Sequence, residues 1–120
     1  MSSNEFDLAV LLDAIDGYRD FLRTIDPLQS PLLAQKAALA EKYLLSARAK
    51  VRASPAAVPD FTDDELRAIL QALLSMREDV ADDLDNSPSA AAHDVSLTLQ
   101  ASCNRLLRYL RKNYPAIYAE

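Results

Sequence analysis

Apolar residues recur every three or four positions along most of this chain, a spacing typical of amphipathic helices. Four such stretches are separated by short segments that contain proline. Proline cannot continue a helix interior, and it disfavours helical backbone in the residue before it. The pattern therefore predicts four helices, near residues 4–25, 31–53, 63–86 and 88–113, followed by a short tail at 115–120.

The third stretch carries the clearest start signal. Its Thr62-Asp63-Asp64-Glu65 matches a capping box, in which the Thr62 hydroxyl accepts from the Glu65 amide and the Glu65 carboxylate accepts from the Thr62 amide. Phe61 and Leu66 occupy the two positions of a hydrophobic staple. Behind this cap runs a long apolar stripe: Leu66, Ile69, Leu73, Met76, Val80 and Leu84.

The other three helices show stripes of the same spacing, and a serine-proline pair marks the start of two of them. Ser30 with Pro31, and Ser87 with Pro88, place serine at the N-cap and proline at the first helical position. No helix could bury its stripe alone, so we expect an all-α, antiparallel four-helix bundle that forms a single domain. The predicted seams are Leu8, Leu11, Ile15, Tyr18, Leu22 and Ile25; Leu33, Ala37, Ala40, Leu44, Ala47 and Val51; and Ala92, Val95, Leu99, Cys103, Leu106 and Leu110.

Three residues that occur once each limit the chemistry of the chain. Gly17 lies within the first predicted helix, where we expect close packing against a neighbour; a ligand groove beside it is the alternative. Cys103 lies on a seam and is expected to be buried and unreactive, and His93 is expected on the surface. Without a second histidine, a cysteine cluster or a glycine-rich loop, we expect no catalytic residue, cofactor or metal site.

Composition and charge restrict the partners and the compartment. The net charge of −5 and the pI near 4.8 argue against direct nucleic-acid binding, which requires a basic face. With Cys103 as the only cysteine no internal disulfide can form, which fits a reducing cytoplasm. The longest apolar runs hold about five residues, too few to span a membrane. Residues 1–7 lack the basic and apolar parts of a signal peptide. We therefore expect a cytoplasmic protein.

Charge is distributed unevenly among the predicted helices, with net negative charge on the first and third and net positive charge on the other two. Five acidic residues crowd the end of the third helix, where the helix dipole disfavours anions. In the expected bundle they lie beside Asp94 and beside the end of the first helix, with Asp20 and Asp26. We call the five the acidic cluster and predict that they bind a partner: Glu78, Asp79, Asp82, Asp83 and Asp85.

Other interpretations of the acidic cluster are a solvated surface and a loose divalent-cation site. Asp83, Asp85, Ser87 and Asp94 imitate the spacing of a calcium loop, but Pro88 occupies the position where such a loop needs glycine. Near the end of the fourth helix, basic residues surround Tyr109. They are explained either as cations that the helix C-terminus favours or as a patch that binds an acidic partner or a phosphate. These are Arg105, Arg108, Arg111 and Lys112.

These observations favour a non-catalytic protein-interaction or assembly module, which docks a protein partner, basic in character, through the acidic cluster and adjacent apolar surface. The sequence does not decide whether the chain also forms a homodimer. The alternative is an acidic inhibitor or immunity-type protein, bacterial or from a phage, that blocks a basic nucleic-acid-binding site. A third interpretation is a bundle that binds a small ligand near Gly17. Seven residues lie off the narrow seams and are expected to supply exposed apolar surface: Leu8, Leu12, Leu45, Leu70, Leu74, Leu97 and Leu107.

Overall fold

The computed structural model describes residues 8–53 and 58–118, and these form four α-helices and one short 3-10 helix. Within these ranges there is no strand, and no helix is long and apolar enough to cross a membrane. The all-α fold class and the helix bundle predicted from the apolar pattern are confirmed. The helices are α1 (Leu8–Leu22), α2 (Pro31–Ala53), α3 (Asp63–Asp85) and α4 (Ala90–Asn113), and the 3-10 helix is Pro115–Tyr118.

The predicted starts of α2 and α3 are confirmed. The first residue of α2 is Pro31, where its missing amide hydrogen leaves no helical hydrogen bond unmade. In α3 both halves of the capping box form: the Glu65 amide donates to the Thr62 hydroxyl at 3.2 Å, and the Thr62 amide donates to the Glu65 carboxylate at 2.7 Å. Phe61 and Leu66, the predicted staple, are both buried.

The predicted end of the first helix at residue 25 is wrong, since α1 ends at Leu22. The Thr24 and Ile25 amides donate to carbonyls three residues back, at 3.0 and 3.3 Å, which tightens the chain into a turn. Asp26 then accepts from the Leu28 amide at 2.9 Å. Because the following proline disfavours helical backbone at Asp26, the helix cannot run on. The predicted start at residue 4 lies outside the described residues.

The predicted cap of the fourth helix is also wrong. The N-cap is Ser89, whose hydroxyl accepts from the Ala92 amide at 3.1 Å, so α4 begins at Ala90 rather than at residue 88. The Ser87 hydroxyl instead donates to the Asp83 carbonyl at 2.7 Å and helps to close the end of α3. The C-cap of α3 is Asn86, so the helix stops one residue before the predicted bound.

Cross-helix contacts show that neighbouring helices run antiparallel. Asp16 of α1 pairs with Arg48 of α2 at 2.9 Å, and seven residues further along α1, Arg23 pairs with Glu41 at 3.2 Å. Between α3 and α4, the Cys103 thiol donates to the Leu73 carbonyl at 3.2 Å. α1 and α3 each contact all three other helices, whereas no Cα atoms of α2 and α4 lie within 8 Å of each other over the described residues. The bundle is therefore packed across its α1–α3 diagonal rather than square.

The helices are not equally long, and this leaves one end of the bundle uncovered. α1 stops before Arg23, which is level with Glu41, so the first ten residues of α2, about 15 Å of helix, extend beyond it. The buried hydrophobic residues of α3 and α4 that join the main core lie no further toward this end than Leu73 and Cys103. We call the part beyond that level the open end (residues 31–40, 74–85 and 90–101), and the remainder the closed end.

The closed end contains the main core except for Ala37 of α2. Its fully buried side chains come from all four helices, and Ile117 of the tail packs against them. At the open end Val80 is buried outside this core and lies level with Ser96, since each is seven residues beyond the Leu73–Cys103 pair. The largest fully buried apolar side chains are Leu11, Ile15, Leu44, Leu66, Ile69, Leu73, Leu106 and Leu110.

Candidate functional site

Two residues on predicted core seams are exposed at the open end. Val95 of α4 is 61% exposed and Leu33 of α2 is 51% exposed. Each residue occupies a core-facing position in the apolar pattern of its own helix, so the sequence predicts that both are buried. They stay exposed because α1, which would lie opposite, ends two to three turns too early. The open end therefore presents apolar surface that this chain does not cover.

The apolar residues expected to be surplus to the core divide into three groups. Leu70 and Leu107 are buried in the core, so the prediction is wrong for them, because the stripes of α3 and α4 are wider than their narrow seams. Leu45 and Leu97 are exposed as expected. The remaining three, Leu8, Leu12 and Leu74, are half-buried against the core.

Other exposed apolar residues were missed by the seam analysis. Leu32 and Leu39 lie on one face of α2, seven residues apart, and both are exposed. Leu28 in the α1–α2 connection is almost fully exposed, and Phe21 is half-exposed and stacks on Tyr18 with ring centroids 5.9 Å apart. The weak amphipathic pattern of α2, apolar on more than one side, is the signal that could have indicated them.

All five residues of the acidic cluster are exposed on the outer half of α3. Over the described residues none of their carboxylates makes a recorded ion pair, although α1, α2 and the start of α3 contain several. The end of α3 has no basic residue in its last turn. Its last carbonyls are capped by neutral groups instead: the Asn86 side chain donates to the Asp82 carbonyl at 2.9 Å. The charge of the cluster is therefore not neutralised locally.

The five acids lie on two faces of α3. Glu65 lies on the face of α3 that meets α2, and Asp83 lies on the same face because it follows Glu65 by five full turns. Asp79 lies about 40° around the helix from these two residues. The other three lie within about 60° of one another, on the side of α3 turned away from the buried Leu73. We call this second group the outer acidic face: Glu78, Asp82 and Asp85.

The surroundings of the acidic cluster differ from the expected ones. Asp94 lies level with Asp82, as predicted, since each is nine residues from the Leu73–Cys103 pair. Asp20 does not lie beside the cluster, because α1 ends short of that level. The nearest cations of this region, Arg19 and Arg23, pair with Asp16 and Glu41 rather than with the cluster.

In the described ranges no three acidic, histidine or cysteine side chains come together as metal ligands. His93 is exposed, and Cys103 is fully buried, as predicted for both. Burial raises the pKa of the Cys103 thiol, with a smaller opposing effect from the Arg77 guanidinium, so the thiolate is disfavoured.

Gly17 does not mark a close helix contact. It is exposed in the middle of α1, and an added Cβ would meet nothing within 4 Å. The expectation of close packing at this position is therefore wrong. The larger grooves lie elsewhere: one of about 600 Å³ opens between the end of α1, the α1–α2 connection and α2, with a mainly apolar lining that includes Leu22, Ile25 and Ala38.

A basic groove of about 410 Å³ lies on α4 at the closed end. Asn113 closes one side of it by donating from its side-chain amide to the Tyr109 carbonyl at 2.9 Å. The residues that line it are Arg105, Arg108, Tyr109, Lys112 and Asn113, so three of the four cations noted in the sequence converge here. Arg111 lies on another side of the helix, about 90° from the mean direction of Arg105, Arg108 and Lys112.

A buried polar cluster at the closed end holds α2 against α3. The Glu65 carboxylate accepts from Lys50 at 2.6 Å and from the Ser46 hydroxyl at 2.5 Å, in addition to the Thr62 amide. Burial alone would raise the pKa of Glu65, but these hydrogen bonds and the Lys50 charge outweigh it and hold the pKa below its ordinary value. Each of these polar groups is hydrogen-bonded within the cluster, so the cluster is explained by its structural role in joining α2 to α3.

Comparison with known proteins adds no assignment, because no family model, curated protein or solved structure matches the chain. The arrangement itself offers uncovered apolar surface next to carboxylates that lack counter-ions. Such a surface is suited to binding another macromolecule, since apolar contact supplies affinity and the charges steer association.

Proposed function

We propose that this chain is a non-catalytic protein-interaction module that binds its partner at the open end. The observation that carries the proposal is the exposure of Leu33 and Val95, two seam positions, at the same end as five acidic residues that form no ion pair with any other described residue. A partner that covers the seam completes a packing pattern that the sequence already contains. The carboxylates select a partner with basic residues around an apolar contact.

The electrostatics support a basic partner rather than a cation. The acids are spread over two faces of α3, so they cannot converge on one ion, whereas a protein surface can contact both faces. The C-terminal end of the α3 dipole adds negative potential at the same place. We place the protein in the cytoplasm, because its one cysteine is buried and its fold requires no disulfide.

The test is site-directed cross-linking followed by identification of the captured protein. A photoreactive amino acid at Val95 reports on the open end, and the same group at Leu45, 43% exposed and level with the core, is the matched control. We expect a specific adduct from position 95 in an extract of the source organism and none from position 45. Equal labelling from both positions would contradict docking at the open end.

A variant of the apolar residues tests the same surface by affinity. Leu33→Ser with Val95→Ser should leave the melting temperature nearly unchanged, because both side chains are already half-exposed or more. Binding of the captured partner should weaken about tenfold or more, mainly through faster dissociation. Leu45→Ser is the control. If both variants bind the partner equally well, its binding site must lie elsewhere on the molecule.

If the captured protein is a nuclease or another nucleic-acid-binding protein, the module acts as an acidic inhibitor. Competition decides this, since an inhibitor displaces nucleic acid from its target, whereas an assembly module binds without displacing it.

A further inference from the structure

The basic groove on α4 brings three cationic side chains to one face of the helix. Arg105, Arg108 and Lys112 lie at positions i, i+3 and i+7, all are exposed, and together they line the groove. No ion pair is recorded for these three within the described ranges. Arg105 is oriented by its hydrogen bond to the Ser102 hydroxyl, at 2.9 Å. Cations that lie together without a counter-ion form a surface that can bind the acidic face of a helix.

The outer acidic face of α3 has the complementary spacing. Its acids lie at i, i+4 and i+7, which is the basic spacing in reverse order. Both sets span seven residues, about 10.5 Å along a helix. When the two helices lie antiparallel, the three charge pairs fall in register along this length: Glu78 with Lys112, Asp82 with Arg108, and Asp85 with Arg105.

These contacts cannot form within one chain. Along the α3–α4 pair Asp82 is level with Asp94, whereas Arg108 lies fourteen residues further along α4, about 21 Å away along the axis. We propose that the basic groove of one copy receives the outer acidic face of α3 from a second copy. This deepens the interaction role proposed above, on which it rests, by naming a second copy of the chain as the partner of one part of the acidic cluster.

The geometry makes this association head-to-tail. Since α3 and α4 are antiparallel within one chain, antiparallel pairing between copies makes both copies point the same way. A contact of this kind has no two-fold axis, so a pair of copies keeps one groove and one acidic face free for further neighbours. The expected product is a series of oligomers, weak and sensitive to salt, because the pairs are exposed to solvent.

Sedimentation equilibrium of the purified chain tests the proposal. At low salt we expect the mean mass to rise with concentration from 13.3 kDa past twice that value, and to return to the monomer at high salt. A mass that stays at the monomer at every concentration would overturn the proposal, and so would a plateau at the dimer, which indicates a symmetric contact.

Neutral variants of each face provide the decisive mixing experiment. The variant Glu78→Gln, Asp82→Asn, Asp85→Asn keeps only the groove, and the variant Arg105→Gln, Arg108→Gln, Lys112→Gln keeps only the acidic face. Each alone should be monomeric, and a mixture should form a one-to-one dimer and nothing larger. Oligomers in either variant alone, or no dimer in the mixture, would overturn the pairing.

A matched control uses the other two acids of the cluster. Asp79→Asn with Asp83→Asn lowers the negative charge of the same helix end but leaves the outer acidic face intact, so oligomers should persist. Their loss would show that net charge rather than register controls the association. Failure here is distinguishable from failure of the proposed docking role, because cross-linking from Val95 to a different protein does not depend on the mass of the purified chain.

Discussion

At the scale of single residues, the buried carboxylate of Glu65 is the point where local and tertiary structure depend on each other. It completes the capping box of α3 and also accepts from Lys50 and Ser46 of α2. The sequence predicts the first role from four adjacent residues. It does not predict the second, because the spacing along one helix says nothing about which residue of another helix lies opposite.

The lowered pKa of Glu65 predicts a pH dependence of stability. A carboxyl whose pKa is lower in the folded state adds stability above its unfolded pKa, about 4.3, and this contribution is lost as the pH falls toward the folded value. Glu65→Gln should therefore flatten the fall in the free energy of unfolding below about pH 4.5. Urea unfolding of both proteins from pH 3 to 7 measures this, and parallel curves would contradict it.

Lys50→Met provides a companion measurement. At pH 7 it leaves the Glu65 carboxylate buried with two fewer favourable interactions, the hydrogen bond and the charge. We expect the free energy of unfolding to fall by about 1–2 kcal/mol. The fall should lie toward the lower end of this range, because the Lys50 side chain is partly exposed and solvent screens the pair.

At the scale of helices, α1 contains a correctable weakness. Gly17 is in the helix interior, and the space around it is open. Gly17→Ala should raise the free energy of unfolding by about 0.5–1 kcal/mol, because alanine loses less backbone entropy and adds no clash. Thermal unfolding measures the change. A destabilised variant would contradict the open surroundings of Gly17.

The helices themselves could be predicted well, and their ends less well. Caps formed by neighbouring residues, such as Thr62 with Glu65, are readable from the sequence. The end of α1 is not set by its apolar pattern, which continues to Ile25, but by the turn before Pro27. At α4 the sequence offers two serines for the cap, and Ser89, whose backbone is extended, is the one whose hydroxyl accepts from the Ala92 amide.

At the scale of the whole molecule, the open end follows from unequal helix lengths. The acidic cluster could be identified from the sequence, since charges are visible there. The exposure of Leu33 and Val95 could not, because both match a core pattern and are uncovered only where α1 stops short. A shorter first helix, suggested by Asp26-Pro27, was the available signal. The candidate surface thus combines a predicted charge pattern with an apolar area that only the fold reveals.

The core at the closed end provides stability, and the proposed docking of a different protein uses the open end. Replacement of Asp79, Asp82 and Asp83 by asparagine tests this separation most directly. Neutralising carboxylates near the negative end of the α3 dipole removes repulsion, so the folded state should be equally stable or slightly more stable. The control is Asp13→Asn with Asp20→Asn, which removes exposed acids from α1 instead.

The deciding measurement is the melting temperature and the association rate with the cross-linked partner, for the same variant at two salt concentrations. We predict an unchanged or higher melting temperature, slower association and a shallower dependence of the rate on salt. A lower melting temperature with an unchanged association rate would show that the acids stabilise the fold and that the partner binds elsewhere.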